Sequence, residues 1–456
     1  MARSSTLLGM PRLNRLARAC AALAGVALAW PAWSLDLRQA YEAALQNDAS
    51  IRASRAAADA SRERLPQAQA QRLPSVSLSA TRNYNDLTAR TRNFLGQPVT
   101  QQNHYYSGNQ SLTVRQPIYR PYNNALVDQA RAQVEDADAL LERDEYSLVV
   151  RVGEAYFDVL LARDQLDLVA AQKASYTVQL DAARKGLAAG SGTRTDVDEA
   201  QARLDMTGAQ ELEALQNLEF TQRRLQTLTG QPLAQLAGLD VQRFRPEPPM
   251  PARLEDWVAL AEEASPELRS LRAQVEAARL EIDKAQAGHK PTLDAVAQWA
   301  RSSSDSVTSV NSRYDQGVVG LQLTIPLYSG GYVSSTVRQA LAAQERAREA
   351  LEATRLDLGV RVHKEFRGMT EGALRIAALE QAVRSAEQAV ISSRKSQQAG
   401  SRTTVDVLNA EQQKTMALRD LAQARYLYLL SRMRLQSLAG QDRQASIEQA
   451  NASLAP

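Results

Sequence analysis

Two short stretches of the chain carry nearly the same glycine, threonine and aspartate pattern: AGSGTRTDVDEAQ at 189–201 and AGSRTTVDVLNAEQ at 399–412. In both, a threonine stands three residues after a glycine, and an aspartate stands three residues after that threonine. Glycine permits the left-handed backbone that ends a helix, and the T-x-x-D spacing is that of a capping box that begins one. Each stretch therefore predicts a tight turn between two helices, with a carboxylate near the positive end of the second helix.

The sequence around both turns is helical over unusual lengths. No proline interrupts the chain after Pro121 until the first turn, or between Val333 and Ala399. At 1.5 Å per residue, about 65 residues of helix extend for roughly 100 Å, which no compact domain needs. Apolar residues recur at spacings of three and four, as in a coiled-coil seam. The pattern predicts long helices at about 121–188, 193–229, 333–399 and 403–439, with seams that include Val149, Val152, Tyr156, Val159 and Leu166, and Leu421, Ala424, Tyr428, Leu435 and Leu438.

Ahead of each long helical segment, the hydrophobic period changes from helical to two. Val76, Leu78 and Ala80 alternate with serine and threonine, for example. Such alternation is typical of strands with one apolar face, and by itself it favours a soluble antiparallel sheet with one wet face over strands in a bilayer. The predicted strands are at about 74–84, 109–119, 291–301 and 314–328, with a helix before each pair and with polar loops at 85–108 and 302–312.

The same order of elements occurs twice along the chain. Gln-Pro-Ile-Tyr at 116–119 corresponds to Ile-Pro-Leu-Tyr at 325–328, and Leu-Thr-Gly at 228–230 corresponds to Leu-Ala-Gly at 438–440. A repeat of about 200 residues predicts an internal duplication rather than a solenoid, whose repeats are about 20 to 50 residues long. The predicted organisation is a first repeat at 35–240, a connector at 241–252 that contains Pro-rich RPEPPMP, a second repeat at 253–440, and a disordered polar tail at 441–456.

The first 34 residues have the composition of a cleavable secretory signal. They contain four arginines, no acidic residue, the apolar run AALAGVALAW and then small residues before the expected cleavage after Ser34. Removing those arginines from the 54 basic residues leaves 50 against 51 acidic ones, so the net charge changes from +3 to about −1. The mature chain therefore has no excess of basic residues with which to bind nucleic acid. The single cysteine, Cys20, would leave with the signal, which excludes disulfides from the mature chain.

Catalytic and cofactor chemistry has little material in this sequence. The three histidines, His104, His289 and His363, are far apart, so neither a metal cluster nor Cys-His catalysis is predicted. Glycines near the first turn lack the GK[ST] motif and the preceding strand of a phosphate loop. We therefore predict no enzyme activity, no metal and no cofactor, and expect the energy for any transport to come from a partner.

If the four strands lie in a bilayer, they need further strands, because an open sheet edge in hydrocarbon leaves backbone groups unpaired. Two copies of the chain would give eight strands, which enclose only side chains, whereas three copies would give twelve strands and a lumen. The serine, threonine and glutamine residues on the polar faces suit a wet lumen. A trimer is therefore the simpler prediction.

The mature chain, from Leu35 to about Gly440, resembles the TolC family of outer-membrane efflux and secretion channels. No single motif carries this resemblance; the order and the duplication of the motifs do. They are the Pro-Ile-Tyr and Pro-Leu-Tyr strand ends, Ile-Pro-Leu-Tyr-Ser-Gly-Gly at 325–331, Glu-Ala-Tyr-Phe-Asp-Val-Leu at 154–160, and Gly-Ser-Arg-Thr-Thr-Val-Asp-Val-Leu at 400–408.

The resemblance implies an α+β membrane fold: a homotrimer with a twelve-stranded barrel in the outer membrane, a long α-helical barrel crossing the periplasm, and an equatorial region between the repeats. It implies a passive exit duct in a tripartite system, with a periplasmic adaptor and an inner-membrane ABC or proton-driven transporter as partners. The cargo stays open between unfolded protein in type I secretion and small molecules in efflux. The alternative is a soluble periplasmic coiled-coil scaffold or adaptor, which has no use for amphipathic strands.

In the family, turns of this kind form the closed periplasmic end of the tunnel, so the resemblance gives the two turns a second role. Asp196 and Asp406 correspond to acidic constriction positions, and Arg402 to an arginine at the centre of the closing network. Gln397 stands where the family has a tyrosine and Asn409 where it has a second acid, which leaves open which pairs hold the end closed. The predicted adaptor contacts are the turn residues Gly190, Ser191, Gly192, Thr193, Gly400, Ser401 and Thr403.

Overall fold

The computed structural model describes residues 35–232, 235–304 and 312–455, so the predicted signal at 1–34 lies outside it. In this part of the chain, no helix is both long and apolar enough to cross a membrane. The strands are β1 Ser75–Arg92, β2 Pro98–Tyr119, β3 Thr292–Ser304 and β4 Ser312–Thr324. The helices are α1 Leu37–Asn47, α2 Ala49–Arg62, α3 Arg64–Ala70, α4 Pro121–Ala188, α5 Arg194–Thr229, α6 Leu254–Ala264, α7 Pro266–Gln286, α8 Tyr332–Gln398, α9 Thr404–Leu438 and α10 Arg443–Asn451.

The four strands form one antiparallel sheet in the order β1-β2-β3-β4. Because side chains alternate between faces, the register places one set of apolar residues together on one face of the sheet. That apolar face carries Val76, Leu78, Leu112, Val114, Trp299, Val319, Leu321 and Leu323, most of them largely exposed in the single chain. The opposite face is mainly polar, and there the Ser79 and Ser111 hydroxyls lie 2.8 Å apart.

The first hairpin is longer than the sequence predicted. Residues 85–108, predicted as a loop, are almost all in β1 and β2, and only a turn at 93–97 separates the strands. The Asn93 side chain closes this turn by accepting hydrogen bonds from the backbone N–H groups of Leu95 and Gln97, both at 3.0 Å. The pairing of β2 with β3 ends at Ser107. From there to the turn at 93–97, β1 and β2 continue as a two-stranded arm.

The second hairpin departs from the prediction less. Strand β4 ends at Thr324 rather than 328, because Pro326 cannot donate a ladder hydrogen bond. Strand β3 continues to Ser304, so the start of the predicted 302–312 loop is strand, and its centre at 305–311 lies outside the described residues.

The helical body contains two helices of exceptional length and, in its half away from the sheet, a row of four helices. Helices α4 and α8, with 68 and 67 residues, extend for roughly 100 Å each. In the half near the sheet, α7 packs between them. In the half away from the sheet, α5 packs mainly on α4, α4 on α9, and α9 on α8, which places α5 and α8 at the two edges of the row.

A junction at mid-height ties distant parts of the chain together. Leu35 pairs with Leu236 and Leu239 with Leu454 in two isolated β-bridges. The buried Tyr156 hydroxyl donates toward two backbone oxygens there, Leu35 O at 2.9 Å and Ala237 O at 2.8 Å. The residues around these bridges belong to one large core that contains most of the buried aromatic side chains of the described chain.

The connector and the tail both pack against this core. Within the predicted connector, Tyr428 accepts a 2.9 Å hydrogen bond from the Glu247 backbone N–H, and Trp257 donates one of 2.7 Å to Pro251 O. The tail differs from its predicted disorder: helix α10 forms, buries Ile447 and Ala450, and is followed by buried Leu454. Its few apolar side chains are enough for folding because the core covers them.

Candidate functional site: the paired helical turns

The first turn ends α4 with a Schellman motif. Gly190 adopts φ +75°, the left-handed conformation that glycine reaches without strain. Its N–H donates to Leu187 O at 3.1 Å, and the Ser191 N–H donates to Gly186 O at 2.9 Å. These bonds satisfy carbonyl groups that the end of the helix leaves free.

The second turn repeats this geometry. Gly400 has φ +76°, its N–H donates to Gln397 O at 2.9 Å, and the Ser401 N–H donates to Ser396 O at 2.9 Å. The turns differ one residue later, because Gly192 in the first is Arg402 in the second. A Cβ atom on Gly192 would lie 3.1 Å from the backbone of Gly186, so the first turn is packed too closely for a side chain without a small shift.

A threonine caps the next helix in both turns, and an aspartate completes the capping box. The Thr193 hydroxyl and N–H donate to Asp196 Oδ2 at 2.6 and 3.0 Å. The corresponding donations from Thr403 to Asp406 Oδ2 measure 2.8 and 2.9 Å. The T-x-x-D spacing therefore correctly predicted both caps.

These hydrogen bonds favour the ionised aspartates. The pKa of Asp196 is lowered first by the Thr193 hydroxyl, then by the Thr193 backbone N–H, and further by the Thr404 hydroxyl. The pKa of Asp406 is lowered first by the Thr403 backbone N–H, then by the Thr403 hydroxyl and by the charge of Arg402. Both carboxylates are therefore negative at neutral pH.

The two turns of one chain line a common groove. Asp196 and Arg402 lie in it with the turn residues of both copies. Gln397 lies there too, and its side-chain amide donates to the Thr404 hydroxyl at 3.1 Å. Since Thr404 also lowers the pKa of Asp196, Gln397 is connected through Thr404 to the carboxylate of the first turn. Asp406 and Asn409 are not among the groove's lining residues.

Arg402 points back along its own helix pair rather than to a carboxylate of the other turn. Its Nη1 donates to the buried Ser393 hydroxyl at 2.8 Å. In one copy of the chain, the predicted network arginine therefore holds α8 to the turn that follows it.

A different arginine connects the two halves. Arg203 on α5 donates from Nη2 to Asn409 Oδ1 at 2.9 Å and from Nη1 to Gln412 Oε1 at 2.8 Å, both on α9. Its Nε donates to Glu199 Oε1 at 2.9 Å, which fixes the guanidinium from its own helix. The sequence did not single out Arg203; the i,i+4 spacing from Glu199 was its one local signal.

A second ion pair lies further along α8 and α9. Arg394 donates to the carboxylate of Glu411, whose side chain is only 8% exposed, and to the Ser175 hydroxyl of α4 at 3.3 Å. Removing Arg394 would leave the Glu411 carboxylate buried without its partner, whereas Arg394 is half exposed and would stay hydrated without Glu411. Glu411 follows Leu408 by three residues on the buried side of α9, and a charge at that position was the available signal.

Comparison with known proteins places the chain in a family. The model of the outer membrane efflux protein family matches residues 40–231 and 257–441, which is most of the chain. The chain belongs to that family. The predicted resemblance, the export-channel function and the outer-membrane location are thereby confirmed.

Curated relatives are similar over nearly their whole length. Alkaline protease secretion protein AprF of Pseudomonas aeruginosa is 35% identical, covering 91% of this chain and 87% of that protein. Proteases secretion protein PrtF of Dickeya chrysanthemi is 33% identical, covering 90% and 89%. Outer membrane protein TolC of Vibrio cholerae is 31% identical, covering 92% and 94%.

Solved structures confirm the fold. A structure of CusC matches with a TM-score of 0.77 at 16% identity, covering 90% of this chain and 93% of that one. The outer membrane protein VceC of Vibrio cholerae matches with a TM-score of 0.75 at 20% identity, covering 89% and 96%. The family is one of outer-membrane channels.

Proposed function

We propose that this chain forms a homotrimeric exit duct for a tripartite export system. In this assembly, a periplasmic adaptor and an inner-membrane ABC or proton-driven transporter meet the duct at its paired turns and open it there. The observation that carries the proposal is the position of the turns. They lie side by side at the ends of helices roughly 100 Å long, on the side away from the sheet.

The sheet supports assembly from several copies. In the described chain, β1 and β4 are edge strands, and the apolar face between them is exposed. Edge strands in a bilayer need partners, so β1 of one copy would pair with β4 of the next. Three copies give twelve strands and an aqueous lumen, whereas two give eight strands and a filled interior.

The two edge helices of the row support the same assembly. Apolar side chains on the wet face of a lone helix lose favourable burial, and a second copy would restore it. On α5 the exposed apolar residues are Met206, Leu212, Leu215 and Phe220; on α8 they are Leu341, Leu356, Val360, Leu374 and Ile391.

The turns support a gate at this end of the duct. Asp196 and Asp406 are ionised, so three copies would bring rings of negative charge to the narrow end and attract cations. The Arg203 bonds to Asn409 and Gln412 join unlike halves, and opening this end requires α5 and α9 to separate. We therefore assign to Arg203 part of the closing role that the resemblance implied for Arg402.

The names of two relatives favour protein as the cargo of this chain. The names of AprF and PrtF describe secretion of proteases, and these two are 35% and 33% identical to this chain. The CusC and VceC structures are 16% and 20% identical and support the fold alone. We therefore place the duct in type I secretion, with small-molecule efflux as the second candidate because the family and the relative BepC of Brucella suis are both described as outer membrane efflux proteins.

The experiment is complementation. The full chain is expressed in a strain that lacks its own outer-membrane secretion protein but keeps a protease, its transporter and its adaptor. We expect extracellular protease activity to return. Resistance to small toxic compounds is measured in an isogenic strain that lacks its efflux duct. Restored resistance without protease export would reverse the cargo assignment, and failure of both would contradict the duct itself.

A further inference from the structure

The apolar face of the sheet has three arginines directly beyond its apolar residues. Arg82, Arg301 and Arg313, here called the rim arginines, lie on this face because each is an even number of residues from an apolar member of its strand. They lie toward the hairpin ends, away from the helices. The cross-strand rows, in outward order, are Leu78-Leu112-Trp299-Gly317, Ala80-Gln110-Arg301-Asp315, Arg82-Gly108-Ser303-Arg313 and Tyr84-Tyr106.

The rim arginines differ in whether a carboxylate neutralises their charge. Arg301 forms an ion pair with Asp315 at 2.6 Å and lies 5.5 Å from the centre of the Trp299 ring. Arg82 lies 5.2 Å from the centre of the Tyr106 ring, which positions a cation without cancelling its charge. Within the residues described, neither Arg82 nor Arg313 has an ion pair with a carboxylate, so this row carries net positive charge.

Small residues separate these two arginines. Gly108 and Ser303 lie between Arg82 and Arg313 in the same row. With strands about 4.8 Å apart, three intervals place the two arginine backbones roughly 14 Å apart. The surface between the two arginines carries only the small residues Gly108 and Ser303. It therefore has room for a lipid headgroup with an anionic group at either end.

The opposite face of the sheet shows that this charge belongs to the lipid side. At the same height, that face carries Thr81, Asn109, Ser302 and Tyr314, none of them charged at neutral pH. Cargo in the lumen would meet these residues rather than the rim arginines. The arginines instead continue the apolar face, and Trp299, Tyr84 and Tyr106 surround them as aromatic residues do at a membrane–water interface.

We propose that Arg82 and Arg313 form a binding site for the phosphate groups of a lipid in the outer leaflet. The proposal rests on the outer-membrane placement of the sheet, whose hairpin ends face away from the periplasmic helices. Guanidinium groups bind phosphate bidentately, and the acyl chains of the lipid would lie along Leu78, Leu112 and Trp299. Such a lipid would hold the rim of each copy at a fixed depth.

The test uses lipid A, which carries phosphates at both ends of its disaccharide, as the probe. The full chain in detergent is titrated with it, and binding is measured by native mass spectrometry. We expect Arg82→Gln with Arg313→Gln to weaken binding about tenfold or more, since the variant loses both guanidinium–phosphate contacts. Dephosphorylated lipid A is expected to bind the unaltered chain as weakly.

The control is Arg90→Gln with Arg92→Gln, which removes the same charge from the arm further out on the same face. It should leave binding unchanged. Equal losses in the two double variants would reduce the effect to net charge and overturn the site, as would full binding by Arg82→Gln with Arg313→Gln. If that variant fails to assemble, Arg82→Lys with Arg313→Lys keeps the charge, and it must bind phosphorylated over dephosphorylated lipid A for the proposal to stand.

Discussion

Asp406 has one observed role, as a capping residue, and one proposed role, in a ring of acidic residues. As a capping residue, it accepts two hydrogen bonds from Thr403, and these bonds stabilise the start of α9. The same bonds keep it ionised, which the proposed ring requires. Asparagine retains an oxygen for the cap but has no charge, so the two roles can be separated by a single substitution.

We expect Asp406→Asn to lower the cation preference of the channel in planar bilayers, with Asp420→Asn further along α9 as the control. The folded pKa of Asp406 lies below its ordinary value of 3.8. The cap therefore contributes stability above that value and loses it as pH falls through the folded pKa. Cation preference should accordingly stay constant from pH 7 to about pH 4. Unchanged selectivity in the variant would remove Asp406 from the ring.

Arg203 is the residue whose loss should open the closed end. Arg203→Gln removes the bonds to Asn409 and Gln412, so we expect a higher single-channel conductance without adaptor. The control is Arg223→Gln on the same helix; among the described residues, the Arg223 side chain donates only to the nearby Gln226. If the two variants conduct alike, the link between α5 and α9 does not hold the duct closed.

At the scale of elements, the sequence predicted the features that depend on residues close together in the chain. The long helices followed from continuous three-and-four spacing without proline, and the turns from glycine and the capping box. The arm was missed because most of the residues between Tyr84 and Ser107 are exposed on both faces of the hairpin, so their sequence has no sustained apolar–polar alternation. Arg203 was missed because its partner Asn409 is 206 residues away, and only tertiary packing brings α5 beside α9.

The turns themselves can be tested by adding one methyl group. Gly400→Ala places a side chain at φ +76° with no neighbouring atom in the way, so the cost is the backbone strain of about 1–2 kcal/mol. We expect a lower midpoint of thermal unfolding, followed by circular dichroism. The matched change Gly208→Ala, inside α5 and also without close neighbours, should raise the midpoint because alanine favours helix by up to about 1 kcal/mol. Equal shifts in both variants would mean that the turn is not strained.

At the scale of the whole molecule, a single chain leaves much unfinished surface. In the proposed assembly, neighbouring copies would cover the open sheet edges and the apolar residues of α5 and α8. No segment of the sequence specifies a number of copies directly. The proposed number of three rests on how many strands are needed to enclose water.

We expect cross-linking in detergent to give a trimer, and imaging to show a particle about 140 Å long, from roughly 100 Å of helix and about 40 Å of bilayer. The internal control is the same sample at low cross-linker concentration, which should pass through a dimer. A water-soluble monomer would support the periplasmic scaffold instead.

The mid-height junction also sets the order in which the chain can fold. Leu35 and Leu236, like Leu239 and Leu454, are more than 200 residues apart in sequence yet paired in space. Contacts this distant are slow to form, because loop-closure entropy is lost before they contribute stability. Helices and hairpins depend on contacts between residues close in sequence, so they can form before the junction does. We therefore expect the junction to close late, around helices that already exist.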